Sequence, residues 1–561
     1  MLKVFLLLVF SCLFMADTKS QERNSKKLEK EMDELIAQQF KSTEPGIAIL
    51  IAKNRRVIYE KAFGSANVEL NTALQPDMVF RIGSITKQFT AIAILQLVEQ
   101  GKVSLQDSIQ NYIKNFPSKG YTITIEHLLT HTSGIPDYSN ADTTHNPYIE
   151  RHDFTAEQII KYFNYQPLEF KPGTKYNYSN SGYVLLAYII EKVTGTNYHT
   201  YMRENVINPA GLTNTFYATE NTIVPKRVRG YTRDRGFYEN AEYQTLSIAF
   251  GCGDLMSTVE DLYKWNYALL DYKLVKKETL DKAFTSYKLS NDAETGYGYG
   301  WFINEVNGRK CIHHEGQING FIAVEQFFPE IDTYVAVITN VQSGEDTTGF
   351  SSKRFELFNK ISMLAIGKEL SKEIVVKDAI LDRYLGTYSP GKELFTITKN
   401  NDRLVLNVPT GGHFELVPLS ANKFVVRNVS PECTVEFIQD SLGNIAELIS
   451  VQPGVFNWVK IEDSNNSNAD ESNALKIYAG KYQLLTMQGA FTTVTLENNR
   501  LMTASTTGLA KAALLPVTES KFRYSDPNYD LVYEFVKDKK GTVKKVIITQ
   551  LGGVHCKKIK Q

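Results

Sequence analysis

The chain has 561 residues, 62 Lys and Arg against 62 Asp and Glu, and a hydrophobic fraction of 43%. Single cores stop growing at roughly 300 residues, so two or more domains are expected. The balanced charge excludes a global field that would draw in nucleic acid or an anionic membrane, and the composition excludes a disordered or membrane-spanning chain.

In chain order, Lys3 and the apolar runs Val4 to Phe10 and Leu13 to Ala16 describe an export leader over residues 1–20, too short to cross a bilayer. Val9, Ser11 and Cys12 weakly resemble a lipoprotein cleavage site, which makes Cys12 a candidate lipid anchor. Thr18 and Ser20 before Gln21 suit ordinary release instead. The expected location is periplasmic or secreted.

From Lys26 to Phe40, apolar Leu28, Met32, Leu35, Ile36 and Phe40 recur at helical intervals and predict an amphipathic helix. Ile47 to Ala52 and Arg56 to Phe63, apolar and β-branched on either side of Lys53-Asn54-Arg55, predict an antiparallel hairpin. A helical pattern opens at Ser84 and ends at Gly101. Further helices are expected over Ala156 to Tyr165, Ser181 to Thr194 and Ser257 to Leu270, the last behind a Ser257-x-x-Glu260 capping box. Strand character returns from Tyr297 to Asn340.

Beyond about residue 375 short alternating strands carry a weak internal repeat. Tyr384-x-Gly386-x-Tyr388 recurs as Tyr478-x-Gly480-x-Tyr482, Asn401-Asp402-Arg403-Leu404 as Asn498-Asn499-Arg500-Leu501, and Val435-Glu436-Phe437 as Tyr533-Glu534-Phe535. Two copies of one β module follow, over 378–461 and 475–561, joined by a linker at 462–474 whose Asp, Ser and Asn have almost nothing to bury. The first domain is expected over 26–370. Cys252, Cys311, Cys433 and Cys556 lack the close pairing of a zinc or redox site and are expected as thiols, with a Cys252–Cys311 disulfide left open.

Three short patterns can carry chemistry. Ser84-Ile85-Thr86-Lys87 sets an amine one helical turn from a hydroxyl, where burial would let the lysine act as a base. The pattern alone is common in helices. Tyr178-Ser179-Asn180, after the turn Pro172-Gly173-Thr174, sets a phenol that can relay protons two residues from an amide, and describes a helix cap equally well. His314-Glu315-Gly316 enters a strand, where Gly316 would let a substrate backbone approach the edge and free the amide of Gln317. With the amide of Ser84, that of Gln317 would make an oxyanion hole. His313 and His314 have no further ligand at metal spacing, so neither a metal nor another cofactor is expected.

Together, Ser84-x-x-Lys87, Tyr178-x-Asn180 and His314-x-Gly316 resemble, in order and spacing, the three motifs of serine β-lactamases and penicillin-recognising peptidases, nearest the class C and D-aminopeptidase branch. His131-Thr132-Ser133-Gly134-Ile135, Gly251-Cys252-Gly253-Asp254-Leu255 and Tyr297-Gly298-Tyr299-Gly300-Trp301 add to the likeness, which spans about residues 30–365. The resemblance implies an α/β (α+β) transpeptidase-like domain with an antiparallel sheet flanked by helices. It implies Ser84 as nucleophile, Lys87 and Tyr178 sharing the proton traffic, and Asn180, His314, Gly316 and Gln317 binding substrate. His131 is expected to lock a loop by hydrogen bonds, and Cys252 to pack near the cleft. The two β modules resemble the small lipocalin-like barrels appended to D-aminopeptidase. Lid, oligomerisation surface and wall-binding module all stand open for them.

Many relatives carry Lys-Thr-Gly where this chain has His314-Glu315-Gly316. A neutral histidine and a glutamate disfavour a substrate carboxylate, turning the expectation toward an amide, an ester or a free amine. The preferred function is an exported serine hydrolase acting through a Ser84 acyl-enzyme on small peptides, D-amino-acid amides or esters, so that its partner is a small-molecule or peptide substrate. β-Lactamase or D-Ala-D-Ala carboxypeptidase activity, and a non-catalytic receptor for cell-wall fragments, stand as alternatives; the oligomeric state stays open.

Overall fold

A computed structural model of the chain describes residues 25–140, 151–217, 222–343 apart from 235, 350–370 apart from 369, and, with interruptions, 374–558. The expected leader with Cys12, the expected linker 462–474, Asn401, Asn498 and Asn499 lie outside the described residues. The chain divides into two units, Met1–Lys372 with Asn428–Glu432, and Glu373–Arg427 with Cys433–Gln561.

In the first unit, helix α1 over 25–37 follows the expected spacing, with Met32, Leu35 and Ile36 buried, as is Phe40 just beyond its end. Strands β1 (Ile47–Lys53) and β2 (Arg56–Phe63) pair antiparallel. Their turn puts Asn54 and Arg55 at φ 49° and 61°, the left-handed pair whose twist suits a two-residue hairpin. Ala48, Leu50 and Ala52 join one hydrophobic cluster, whereas Ile47, Ile49 and Ile51 join a second. β1 is therefore covered on both faces, which explains its unbroken apolar run.

Helix α2 (Thr86–Glu99) is buried at every position from Thr86 to Leu95. That stretch is buried on every face, so the charge it carries at Lys87 is desolvated. The helix starts two residues later than expected, because Gly83–Ile85 form a 3₁₀ turn before it. Ala156–Ile160 is shorter than expected, while α3 (Asn180–Thr194) ends at Gly195 in the left-handed conformation. A short helix α4 (Tyr198–Met202) follows.

The expected box at Ser257 is not formed. Ser257 ends the short strand Leu255–Ser257, and Thr258 caps α5 (Val259–Leu270) by accepting the Asp261 N–H. The carboxylate of Asp261 turns instead to Asn214 and Thr215, so the acidic residue three positions after the cap is used in tertiary contact.

Strands β3 (Phe302–Val306), β4 (Arg309–Ile318), β5 (Phe321–Phe328) and β6 (Thr333–Thr339) complete a six-stranded sheet in the order β3-β4-β5-β6-β1-β2, every pair antiparallel. β3 pairs only with Arg309 to His313. Among the described residues no strand covers 314–318 on that side.

In the second unit, the strands from Gly386–Ser389 to Val455–Ile461 close into one eight-stranded barrel, and those from Gly480–Leu484 to Val554–Lys558 into another. The sequence repeat has a physical basis. Tyr388 donates its hydroxyl to the Tyr384 carbonyl at 2.8 Å, and Tyr482 does the same to Tyr478 at 2.7 Å. Phe437 and Phe535, the ends of the third repeated triplet, lie with ring centroids 4.1 and 4.9 Å from Tyr384 and Tyr478. Each repeated tyrosine thus both plugs its barrel and ties down the strand that opens it.

Candidate active site

Ser84 lies in the 3₁₀ turn between the short strand Phe80–Arg81 and α2, and Lys87 projects beside it from the first turn of the helix. Lys87 Nζ is 2.9 Å from Ser84 Oγ, 2.8 Å from Asn180 Oδ1 and 2.8 Å from the Cys252 carbonyl oxygen. The three acceptors match the three protons of an ammonium. A neutral amine gives up one of them and offers its lone pair to the serine proton.

Lys87 is 0% exposed, and burial draws its pKa down to about 8. The sulfur of Cys252 and the carboxylates of Asp137 and Asp254 pull the other way without restoring the ordinary value. About half of the lysine is amine at pH 8, within hydrogen-bond reach of a hydroxyl.

Tyr178 shares a hydrogen bond with Ser84, its ring centroid is 4.8 Å from Lys87 Nζ, and burial holds its phenol well above the usual range. It is a protonated phenol near neutral pH, suited to relaying a proton.

Asn180 is the first residue of α3. Its Nδ2 and its backbone N–H donate to Asp137 Oδ2 at 2.9 and 3.0 Å, leaving Oδ1 aimed at Lys87. Ser179 occupies the cap position without capping: its hydroxyl donates to the Ile135 carbonyl and its N–H to His131 Nδ1 at 3.1 Å. His131 also accepts the Asn177 N–H on its carbonyl, so one buried residue pins both neighbours of Tyr178. Its ring stands 4.2 Å from that of Tyr178.

On β4, side chains alternate: His314 and Gly316 face inward, Glu315 and Gln317 face the exposed side. His314 is 1% exposed and supports the strand from beneath. Nδ1 stands 2.6 Å from the Glu315 carbonyl and must carry the proton, so Nε2 accepts from the Tyr297 hydroxyl at 2.9 Å. Burial, then the charge of Lys87, press its pKa well below the usual value. Both ring nitrogens are thus engaged inside the protein, and the ring has none left for the substrate contact expected of it.

Gly316 also differs from expectation. A Cβ there would lie 1.9 Å from the Ile82 carbonyl oxygen and 3.2 Å from Ser84 N, so the missing side chain admits the turn that carries Ser84, not a substrate backbone. Conversely, a Cβ at Gly83 would lie 2.8 Å from Gln317 N. The amides of Ser84 and Gln317 therefore belong to two segments in direct contact. Glu315 is exposed, and its side chain makes no hydrogen bond or ion pair among the described residues, yet crowding by protein raises its carboxyl above the ordinary range.

Cys252, Cys311 and Cys433 are buried and in no disulfide. Cys252 packs in one core cluster and Cys311 in the other, so the disulfide left open by their spacing is not formed. The Cys252 thiol is pushed up to about 11 by burial; its carbonyl is the group that serves the site. Sequence reasoning missed Asp137, whose Oδ1 is held by the N–H and hydroxyl of Ser139 while Oδ2 orients Asn180. Its only signal is an acid after Pro136 in a turn-rich stretch, which many loops share.

The sequence model of the β-lactamase family matches residues 28–351. Penicillin-binding protein 4* of Bacillus subtilis (strain 168) is 27% identical over 414 residues, 69% of this chain and 89% of its own length. A putative penicillin-binding protein of the same strain, PbpX, is 31% identical over 312 residues, 55% and 74% of the two chains. Among solved structures, the octameric penicillin-binding protein homologue from Pyrococcus abyssi superposes with a TM-score of 0.53 at 29% identity, covering 78% of this chain and 99% of that one. The D-amino acid amidase from Ochrobactrum anthropi SV3, complexed with D-phenylalanine, shares the fold at a TM-score of 0.54 and 23% identity, over 61% and 98%. With more than half of its length matched, the chain belongs to the β-lactamase family of serine hydrolases.

Proposed function

We propose that the chain is an exported hydrolase that cleaves small peptides, D-amino-acid amides or esters through an acyl-enzyme on Ser84. The observation that carries this reading is Lys87 Nζ, buried and half neutral near pH 8, at 2.9 Å from Ser84 Oγ. Lys87 takes the hydroxyl proton as Ser84 Oγ bonds to the substrate carbonyl carbon. The amides of Ser84 and Gln317 receive the resulting oxyanion, each such donor contributing about 3 kcal/mol. The proton then passes through the Tyr178 hydroxyl to the leaving amine or alkoxide as its bond to carbon breaks. Water, deprotonated by the same groups, releases the acid and restores Ser84. Asn180, held by Asp137, keeps Lys87 in line.

Selectivity follows from Glu315. Like charges about 4 Å apart near a protein surface repel by about 4 kcal/mol, so its carboxylate disfavours a substrate carboxylate and favours an ammonium. The fold shared with the D-amino acid amidase supports the amide reading. The relatedness to penicillin-binding protein 4* supports a second one, action on an acylated D-Ala-D-Ala peptide or a β-lactam. Export rests on the leader pattern, and N-terminal sequencing of the secreted protein checks it; an intact Met1 retained in the cytosol refutes it.

The test is hydrolysis of a D-alanine anilide with a free amine and of an acylated D-Ala-D-Ala peptide, with Ser84→Ala as control. Serine-dependent turnover of the anilide alone supports the proposal, and Glu315→Thr should then improve the carboxylate substrate. Turnover of the peptide alone hands the chain to the carboxypeptidase reading. Absence of turnover, with cell-wall fragments bound equally by Ser84→Ala, makes it a receptor.

A further inference from the structure

The loop Gly251 to Leu255 docks on the first turns of α2 through main-chain groups. The Gly251 carbonyl accepts from Thr90 Oγ1 at 2.7 Å, the Cys252 carbonyl accepts from Lys87 Nζ, and the Leu255 N–H donates to Thr86 Oγ1 at 3.1 Å. The loop's shape therefore decides where one of the lysine's three partners stands. At its centre is Asp254, 0% exposed, whose carboxylate is among the groups that pull the Lys87 pKa upward. Its Oδ2 accepts the Gly251 N–H at 3.1 Å and stands 2.8 Å from His199 Nε2; Oδ1 is buried without a hydrogen-bond partner.

His199 and its neighbour Tyr198 open α4, whose first turn is capped by Asn197. The Tyr198 hydroxyl lies 2.6 Å from Thr90 Oγ1, and since Thr90 donates to Gly251 it accepts from Tyr198. The His199 ring stacks on Tyr217 at 3.1 Å and meets the edge of Phe250. Two successive residues of one helix turn thus brace the same loop, one through Thr90 and the other through Asp254. A buried carboxylate with an unsatisfied oxygen is costly. The negative charge it brings toward the lysine is the use the structure makes of that costly burial.

We propose that Asp254 and His199 are positioning residues of the active site, which hold the Gly251–Cys252 loop against α2 and tune the proton affinity of Lys87. The inference rests on the reading of Ser84 and Lys87 as nucleophile and base. The titratable groups around Asp254 are Lys87, Cys252, Tyr138, Tyr198, Tyr217 and His199; Asp137, His131, His314 and Tyr178 also bear on Lys87. Burial raises the phenols and the thiol and lowers His131 and His314, so all of these are neutral near pH 7. Asp137 and Asp254 are the carboxylates that act on the lysine, and His199 is the histidine held on one of them.

The test is the pH dependence of kcat/KM for the anilide at constant ionic strength, in full-length protein. Asp254→Asn keeps an acceptor for Gly251 and removes the charge, so the acid limb should move down by about half a pH unit, roughly threefold in rate on that limb. His199→Phe keeps the stacking on Tyr217 and strips the donor from Asp254, so the limb should move up. The same opposite shifts should appear in the titration of Lys87 in 13C-lysine-labelled protein, which needs no turnover. Should Asp254→Asn fail to fold, His199→Phe decides alone. A uniform loss of rate with an unmoved midpoint in either variant overturns the proposal and leaves the serine mechanism standing. Failure of the serine mechanism shows instead as wild-type protein without Ser84-dependent turnover.

Discussion

Lys87 offers the sharpest quantitative expectation. Free lysine titrates near 10.5; burial brings this one to about 8. If the amine takes the serine proton, kcat/KM follows the neutral fraction: roughly 0.09 at pH 7, 0.5 at pH 8 and 0.9 at pH 9. The rate should therefore rise about tenfold between pH 7 and 9, with a midpoint close to 8. Initial rates on a neutral ester between pH 6 and 10, with thermal melting recorded over the same range to exclude unfolding, measure it directly. Lys87→Arg should remove the limb together with the activity, since a guanidinium keeps its proton throughout. A limb centred near pH 6, or turnover surviving in the arginine variant, would mean that another group takes the proton and that the short Lys87–Ser84 contact serves only to hold the serine in place.

Gly316→Ala should lower kcat/KM by about a hundredfold and reduce the melting temperature, because the new Cβ meets the Ile82 backbone, which cannot swing aside as a side chain can, and the Ser84 turn moves with it. Wild-type kinetics in that variant would show that the turn has slack. Glu325 on β5, fully buried against Gln88, is raised to about 7 by burial from an ordinary 4.5. Between those values the unfolded chain sheds its proton first, so stability should fall by about 3 kcal/mol as pH rises from 4.5 to 7 and then level off. Glu325→Gln should remove this fall, raising the melting temperature at pH 8 while changing little at pH 4; equal effects at both pH values would contradict the assignment.

The parts of the site visible in the sequence are those in which side-chain identity carries the chemistry at short range. Ser84 and Lys87 are three residues apart on one turn, and Tyr178 with Asn180 brackets a helix start, so spacing alone predicts their neighbourhood. The hidden parts depend on what comes from elsewhere in the chain. The Cys252 carbonyl could belong to any residue type, and Asp137 and Asp254 are ordinary loop acids until their partners arrive. Gly316 shows the same limit from the other side: a glycine announces a close approach without naming the visitor, which here is the protein's own turn. In the fold, the alternation and turn chemistry of β1 and β2 are local and legible, whereas the cap of α5 shifts by one residue because Asp261 is drawn to Asn214.

The lysine's three partners stand at positions 84, 180 and 252, and the strand that brings Gln317 against the Ser84 turn comes later still. A chain emerging from the ribosome presents Ser84 and Lys87 together long before Asn180, Cys252 or Gln317 has been made. In that state the lysine is hydrated and fully protonated, and the serine is as inert as any other. On the proposed mechanism, reactivity is switched on by the closing of the domain itself, so the nascent polypeptide would be protected from its own chemistry, and covalent labelling of Ser84 would double as a clock for the completion of folding.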